Sequence, residues 1–317
     1  MHGRPLSRRD ALKVGALATA GLALGSPSLS AFTGTARREL ITKPIPSTGE
    51  RLPVIGLGTN AYSVDTAEAM ATLRDVIRNM PRLGGTLIDT ARVYGRSEEV
   101  IGEIVEDLGI RDDLFIATKT PIRGDLGDPH EEIQTSLDQL RMDHLDLILI
   151  HNLHGLDHFM PAFIEAKEAG TVRYIGMSTS VESQYPAQME AMRRYPLDFI
   201  QVDYSIANRG AADAILPLAA DRGMAVMINV PFGGRGGGAA STFGQVADRE
   251  FPGWAAEADI GSWAQFFLKY VVSHPAVTVA IPGTTQQRHL EDNQGAGRGR
   301  LPDAAMRRQM EAFWDAL

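Results

Sequence analysis

The chain contains no cysteine, which excludes disulfides, thiolate nucleophiles and cysteine-ligated metals at once. Its body also lacks a basic run, and the net charge is -8 at pH 7. Nucleic acid is therefore not an expected partner, because phosphate binding needs clustered Lys or Arg. No apolar stretch is long enough to span a bilayer comfortably, so stable membrane insertion is not expected either. What is present is ordinary for a soluble protein: 317 residues, 44% hydrophobic and 22% charged. That is enough to bury a large core without staples, and a small molecule is the default partner.

The first thirty residues differ from the rest. Met1 to Lys13 is basic, with Arg4, Arg8, Arg9 and Lys13, and an Ala- and Gly-rich apolar run from Val14 to Leu24 follows. Ser28, Leu29 and Ser30 then form a small-x-small triplet, so residues 1–30 read as a signal peptide cut near Ser30/Ala31. The paired arginines in SRRDALK (Ser7 to Lys13) resemble the twin-arginine (Tat) export motif, departing from it at Ala11, where the motif usually has Phe. The expectation is a protein exported to the periplasm, with the Tat translocase as a transient partner. Residues 31–317 would be the folded body.

In that body, Glu39 to Pro53 reads as two short strands around the turn IPSTGERLP, placed to plug the floor of a barrel. Eight strand-length apolar runs follow: Val54–Leu57, Thr86–Ile88, Leu114–Ala117, Leu145–Ile150, Val172–Gly176, Phe199–Val202, Ala225–Val230 and Val277–Ile281. Helical patterns separate them. In Ser97 to Leu108, for example, Val100, Ile101, Ile104, Val105 and Leu108 share one face. The next helix starts where Asp128 can cap and Pro129 can take the first helical position. Eight strands alternating with helices predict an α/β fold, a single-domain (β/α)8 TIM barrel. The rival is a doubly wound dinucleotide fold, since Gly56 to Ala61 matches G-x-G-x-x-A and Asp75 follows at nearly the right distance. Asp75, however, falls inside a helical pattern, whereas the fingerprint's acid should end the second strand.

The residues just past each strand of a parallel barrel face one mouth, where such barrels place their chemistry. Here they are Asp89, Lys119, His151, Ser178, and then Gln201 and Tyr204, with Tyr94 five residues beyond Asp89. An acid, a base, an imidazole and a phenol in these positions point to proton delivery to a carbonyl. A phenol is a poor acid at neutral pH, but a neighbouring ammonium favours the phenolate. Lys119 can supply that charge, Asp89 would keep Lys119 charged and fixed, and His151 could orient the carbonyl or share the proton.

The segments GLGTN, IDTARVYG, IATK, LILIH, IGMS, QVDYS and IPGT, in this order and spacing, resemble the aldo-keto reductase family over about Pro53 to Leu317. The resemblance implies an NAD(P)-dependent oxidoreductase that moves hydride between nicotinamide and an aldehyde, ketone or sugar-like carbonyl/alcohol substrate. It assigns Asp89, Tyr94, Lys119 and His151 as the catalytic tetrad, with Tyr94 as general acid. Ser178 and Gln201 would hold the nicotinamide carboxamide, and Thr284, Thr285, Arg288 and Asn293 the adenosine phosphate end. After Ser178 the family usually has Asn, where this chain has Thr179. The aromatic ring that stacks on the nicotinamide after strand seven is also missing, with Val230 and Pro231 there and Phe232 as a substitute. NADP is the expected cofactor, with NAD possible.

Other features keep two readings. The loop GGRGGG (Gly233 to Gly238), with Arg235, could close over a pyrophosphate or simply be flexible. Phe251 and Trp254 could line a substrate pocket or pack as core. Arg298, Arg300, Arg307 and Arg308 read as a solvated face. His151, His154 and His158 lack the accompanying carboxylate pattern of a zinc site, so no metal is expected. Two further functions remain beside a dissociating reductase. One is an exported isomerase or dismutase using a tightly bound, non-dissociating NADP. The other is a nucleotide-bound sensor without turnover.

Overall fold

A computed structural model of the protein describes residues 38–122, 124–234 and 241–317; the leader expected at residues 1–30 lies outside them. The first elements are an antiparallel hairpin, β1 (Thr42–Pro44) and β2 (Arg51–Pro53). Eight parallel strands follow: β3 (Leu57–Gly58), β4 (Leu87–Asp89), β5 (Phe115–Lys119), β6 (Leu145–Ile150), β7 (Val172–Ser178), β8 (Phe199–Asp203), β9 (Ala225–Asn229) and β10 (Val279–Ala280). They pair in sequence order from β3 to β10. Parallel bridges between Ile55 and Ala280 and between Gly58 and Gly283 join the two outer strands and close the (β/α)8 barrel.

Closure explains the glycines that imitate a dinucleotide fingerprint. A Cβ on Gly56 would meet the Leu87 carbonyl oxygen at 2.9 Å, and one on Gly58 the Ile281 carbonyl oxygen at 2.9 Å. These glycines serve strand-to-strand approach. Asp75 sits within α1 (Ala67–Leu83) and pairs with Arg78 on the surface.

Of the helices, those that bear on the site are α2 (Ser97–Leu108), α3 (Pro129–Leu140), α4 (Leu156–Glu168), α5 (Tyr185–Arg194) and α6 (Ala211–Asp221). A short α7 (Thr242–Val246) precedes α8 (Trp263–Val272), and α9 (Gln287–Ala296) and α10 (Ala304–Asp315) complete the chain. The expected cap at Asp128 is present, its carboxylate accepting from the His130 and Glu131 amides ahead of Pro129. α9 is not evident in the sequence because its inner face is largely polar: Asn293 and Gln294 are buried beside Leu290 and Ala296.

The alternation of side chains along each strand sorts the barrel into layers. Leu87, Phe115, Leu147, Tyr174, Phe199, Ala225 and Val279 point inward and form one buried cluster with Ile45 and Leu52 of the hairpin. The hairpin is therefore the floor plug. It is pinned from inside by the Tyr174 hydroxyl, which donates to Glu50 Oε2 at 2.6 Å and lies 2.8 Å from Thr48 Oγ1. Burying Ile45 and Leu52 there contributes about 1.5–3 kcal/mol each. The same alternation carries on upward to Asp89, Lys119, Ser178 and Asn229, which end their strands on the inner face, and to Gln201, two residues before the end of β8. Among the described residues no helix is long and apolar enough to cross a membrane.

Candidate active site

Above the apolar layers the interior turns polar. Lys119 and Asp89 end adjacent strands with side chains 1% and 4% exposed, and the Lys119 ammonium donates to Asp89 Oδ2 at 2.6 Å and to the Thr90 carbonyl at 2.8 Å. Gln201 crosses the barrel to donate to Asp89 Oδ1 at 3.0 Å. Burial by itself would lower the Lys119 pKa, but the Asp89 carboxylate and the Tyr94 phenol outweigh it and hold the ammonium above its ordinary value. Burial likewise pushes the Asp89 carboxyl up, against the opposing pull of Lys119. The ammonium thus keeps its proton at neutral pH, while Asp89 ionises later than an exposed carboxylate would.

Tyr94 comes from the loop after β4, in the single turn Arg92–Tyr94. Gly95 ends that turn at φ 65°, ψ -125°, a backbone region that only glycine enters readily. The turn brings the Tyr94 ring over the Lys119 ammonium, 5.3 Å from the ring centroid. The His151 ring meets the Tyr94 ring edge-on, with centroids 6.1 Å apart. Asp89, Tyr94, Lys119 and His151, expected together from the strand ends, do converge.

The four groups surround the base of a cavity of about 590 Å³. Asp89, Tyr94 and His151 line it, as do Ser178 and Gln201, while the Lys119 side chain lies below, almost fully buried. Strained backbone marks the rim. Asn152 and Leu153, directly after His151, have φ of 52° and 58°, and the β-branched Val230 has φ 48°. Such conformations cost about 1–3 kcal/mol each and cluster at functional sites.

A sequence model of the aldo/keto reductase family matches residues 54–313, and the cavity lies within that span. The chain belongs to the aldo/keto reductase family. It is 31% identical to the aldo-keto reductase YhdN of Bacillus subtilis, over 58% of this chain and 60% of that protein. It is 26% identical to the fission yeast (Schizosaccharomyces pombe) aldo-keto reductase yakc [NADP(+)], covering 83% of this chain and 89% of that one. Among solved structures, an aldo/keto reductase of Klebsiella pneumoniae in complex with NADP and acetate superposes with TM-score 0.66 at 26% identity, covering 84% of this chain and 93% of that one. A holo-form aldo-keto reductase of Bacillus halodurans gives TM-score 0.70 at 22% identity, over 87% and 96% of the two chains, and supports the fold.

The remaining candidates of this aldo/keto reductase fall in distinct places. Thr284 and Thr285 lie in the turn after Gly283, and the Tyr62 hydroxyl anchors that turn on the Thr284 carbonyl at 3.0 Å. Arg288 and Asn293 are on α9, Arg288 exposed and Asn293 buried. Gly233 has φ 68° and belongs to the turn before Gly234, which does line the cavity. Arg235 lies outside the described residues, as do Gly236 to Gly238.

Two readings change, and one left open is decided. Tyr204 does not face the mouth: one step out of phase with Gln201 and Asp203, it turns outward to stack on Tyr270 at 5.9 Å. Phe232 packs on Phe243 at 5.0 Å rather than in the cavity. Phe251 and Trp254 join an aromatic cluster with Trp263, Phe266 and Phe313 and are core. The residue missed at the end of β9 is Asn229. Its Nδ2 donates to the Thr179 carbonyl at 3.0 Å and lies 3.4 Å from Gln201 Oε1. Among the described residues its Oδ1 is buried without a hydrogen-bond partner, in a side chain that lines the cavity.

Proposed function

We propose that the protein is an NADP-dependent oxidoreductase that reduces a small aldehyde, ketone or sugar-like carbonyl and, in reverse, oxidises the corresponding alcohol, with Tyr94 as general acid/base. The observation that carries this is the Lys119 ammonium, fixed by Asp89 at 2.6 Å and lying beneath the Tyr94 ring. When bound, the dinucleotide supplies the hydride that the carbonyl carbon receives. Tyr94 gives its hydroxyl proton to the carbonyl oxygen, and the phenolate left behind is stabilised by Lys119. His151, edge-on to Tyr94, orients the carbonyl oxygen toward that hydroxyl. Asn60 and Asn152 share the cavity lining with Val93 and Ile122, a mixed wall suited to a short hydroxylated carbonyl compound.

The residues fit the proposed cofactor. A carboxamide needs one acceptor for its NH2 and one donor for its oxygen, and Asn229 Oδ1 is a buried acceptor with no partner among the described residues. Asn229, with Ser178 and Gln201, would hold that group, and Asn229 makes good the amide absent at Thr179. Thr284, Thr285, Arg288 and Asn293 would hold the adenosine phosphate end, and Gly233 and Arg235 the pyrophosphate. NADP rather than NAD is favoured by Arg288, which donates to the neutral Gln286 side chain at 2.9 Å. Among the described residues no carboxylate pairs with it. Replacing Arg288 with Ala should weaken NADP binding about 10- to 100-fold, the value of one charge-assisted phosphate contact, and leave NAD binding unchanged. Fluorescence titration of both nucleotides checks this; equal losses for the two would refute the assignment.

A second reading follows from the arginine pair of the leader. We propose Tat export to the periplasm, where no free NADP pool is expected, so that a nucleotide carried through folding could shuttle hydride within or between substrates as an isomerase or dismutase does. Retention for about an hour needs dissociation near 10⁻⁴ per second, which with ordinary association implies a Kd on the order of 10⁻¹⁰ M. Substituting Arg8 and Arg9 with Lys should keep the protein in the cytoplasm, as cell fractionation would record. Unchanged export would refute the Tat assignment. Micromolar NADP affinity with fast exchange would eliminate the carried-nucleotide mechanism and leave the reductase.

A further inference from the structure

Glu98 is a buried carboxylate that the proposed chemistry does not use. It stands in the first turn of α2 with its side chain fully buried, outside the barrel wall. Glu98 Oε1 accepts from the Thr118 hydroxyl at 2.5 Å, and Thr118 immediately precedes Lys119 on β5. Glu98 Oε2 lies 3.3 Å from Arg92 Nε, without an aligned hydrogen bond. Arg92 opens the turn that Tyr94 closes. One carboxylate therefore holds both the strand that carries the ammonium and the turn that carries the phenol.

We infer that Glu98 is a positioning residue whose ionised form, through Arg92, clamps the Tyr94 turn at its working distance from Lys119. This rests on the reading of Tyr94 as proton donor. A carboxylate buried from solvent is an expensive link, since a neutral amide would fill the same space. Its use here makes sense if a charge is needed to hold Arg92. Arg92 also donates to a second carboxylate, Glu132 on α3, at 3.2 Å, but Glu132 is partly exposed and, unlike Glu98 with Thr118, makes no hydrogen bond to β5 among the described residues. The charged groups facing Glu98 are Arg92 from the Tyr94 turn and Lys119 from β5. Burial, opposed by Thr118 and Arg92, pushes Glu98 up to about 7. The clamp consequently weakens as pH falls through neutrality.

The sign of the stability effect separates positioning from mere packing. A carboxyl raised in the folded state adds stability below its unfolded pKa and loses that contribution as pH rises through about 7. At pH 8 the fold bears a buried charge that Gln would remove. Glu98→Gln should accordingly melt at or above the wild-type temperature at pH 8 while its turnover falls roughly tenfold, with nucleotide Kd within about twofold. The acid limb of the wild-type turnover profile near pH 7 should also disappear in Glu98→Gln. Arg92→Met should reproduce the turnover loss, and the double variant should be no worse than either single one.

Wild-type turnover and an unchanged pH profile in Glu98→Gln would overturn the inference. So would a lower melting temperature accompanied by a turnover loss that is the same at every pH, which would mark Glu98 as a packing residue. If Arg92→Met keeps full activity, the link to the Tyr94 turn is wrong. Tyr94→Phe serves as the reference: full activity there removes the proton donor, whereas an inactive Tyr94→Phe beside a wild-type-like Glu98→Gln removes only the clamp.

Discussion

Replacing Tyr94 with Phe is expected to lower turnover by about 10²- to 10⁴-fold, the worth of a positioned general acid, and to leave nucleotide affinity nearly unchanged. The hydroxyl is the sole difference between the two side chains. The Tyr94 ring keeps its contacts with Lys119 at 5.3 Å and with His151 at 6.1 Å, so the cavity walls stay where they are. Steady-state kinetics with a panel of small aldehydes and ketones, beside a nucleotide titration of the same preparations, separates the two effects. A loss confined to KM would mean that Tyr94 binds substrate without giving it a proton.

The second large effect is expected at Lys119. Lys119→Met removes the ammonium beneath the phenol and should cost about 10²- to 10³-fold in turnover, in the range of other electrostatic stabilisers in dry sites. It should also destabilise the fold by about 3–5 kcal/mol, because Asp89 is left buried without its counter-charge. Asp89 is 3% exposed and its carboxyl is already pushed up by burial, so it meets the loss by taking up a proton. The destabilisation should thus be smallest at acidic pH and grow as pH rises through the raised carboxyl value. Asp89→Asn combined with Lys119→Met should recover most of the stability and none of the turnover. Denaturant unfolding at two pH values, with activity measured on the same samples, tests both halves. Equal stability of the single and double variants would mean that the two charges are not coupled.

Much of the fold was legible because parallel strands repeat a simple rule. Each apolar run is followed by a helix, and the residue that ends the run on the inner face enters the mouth, so Asp89, Lys119, His151, Ser178 and Gln201 could be read off strand ends. The rule fails where phase decides. Tyr204 is three residues past Gln201 and therefore points outward, where Arg307 donates to its hydroxyl at 2.8 Å. That contact also takes Arg307 out of the solvated face expected for the tail arginines. Asn229 was hidden for a related reason: β9 ends one residue before Val230, so the inward position belongs to Asn229. α9 escaped because a helix packed through polar groups has little apolar periodicity. Gln294, for instance, is buried to donate to the Ile55 carbonyl at 3.2 Å. Glu98 reads in sequence as a helix-start acid. Only its burial between Thr118 and Arg92 sets it apart.

The proposed chemistry is tested most directly by following deuterium from NADPH, labelled at the transferable position of the nicotinamide, into the product of a carbonyl substrate. Mass spectrometry of the alcohol reads the result. With the wild-type protein, one deuterium bound to the former carbonyl carbon is expected, and with Tyr94→Phe almost no labelled alcohol over the same time. An alcohol without label, or labelled alcohol formed by Tyr94→Phe at the wild-type rate, would contradict hydride transfer completed by a proton from Tyr94.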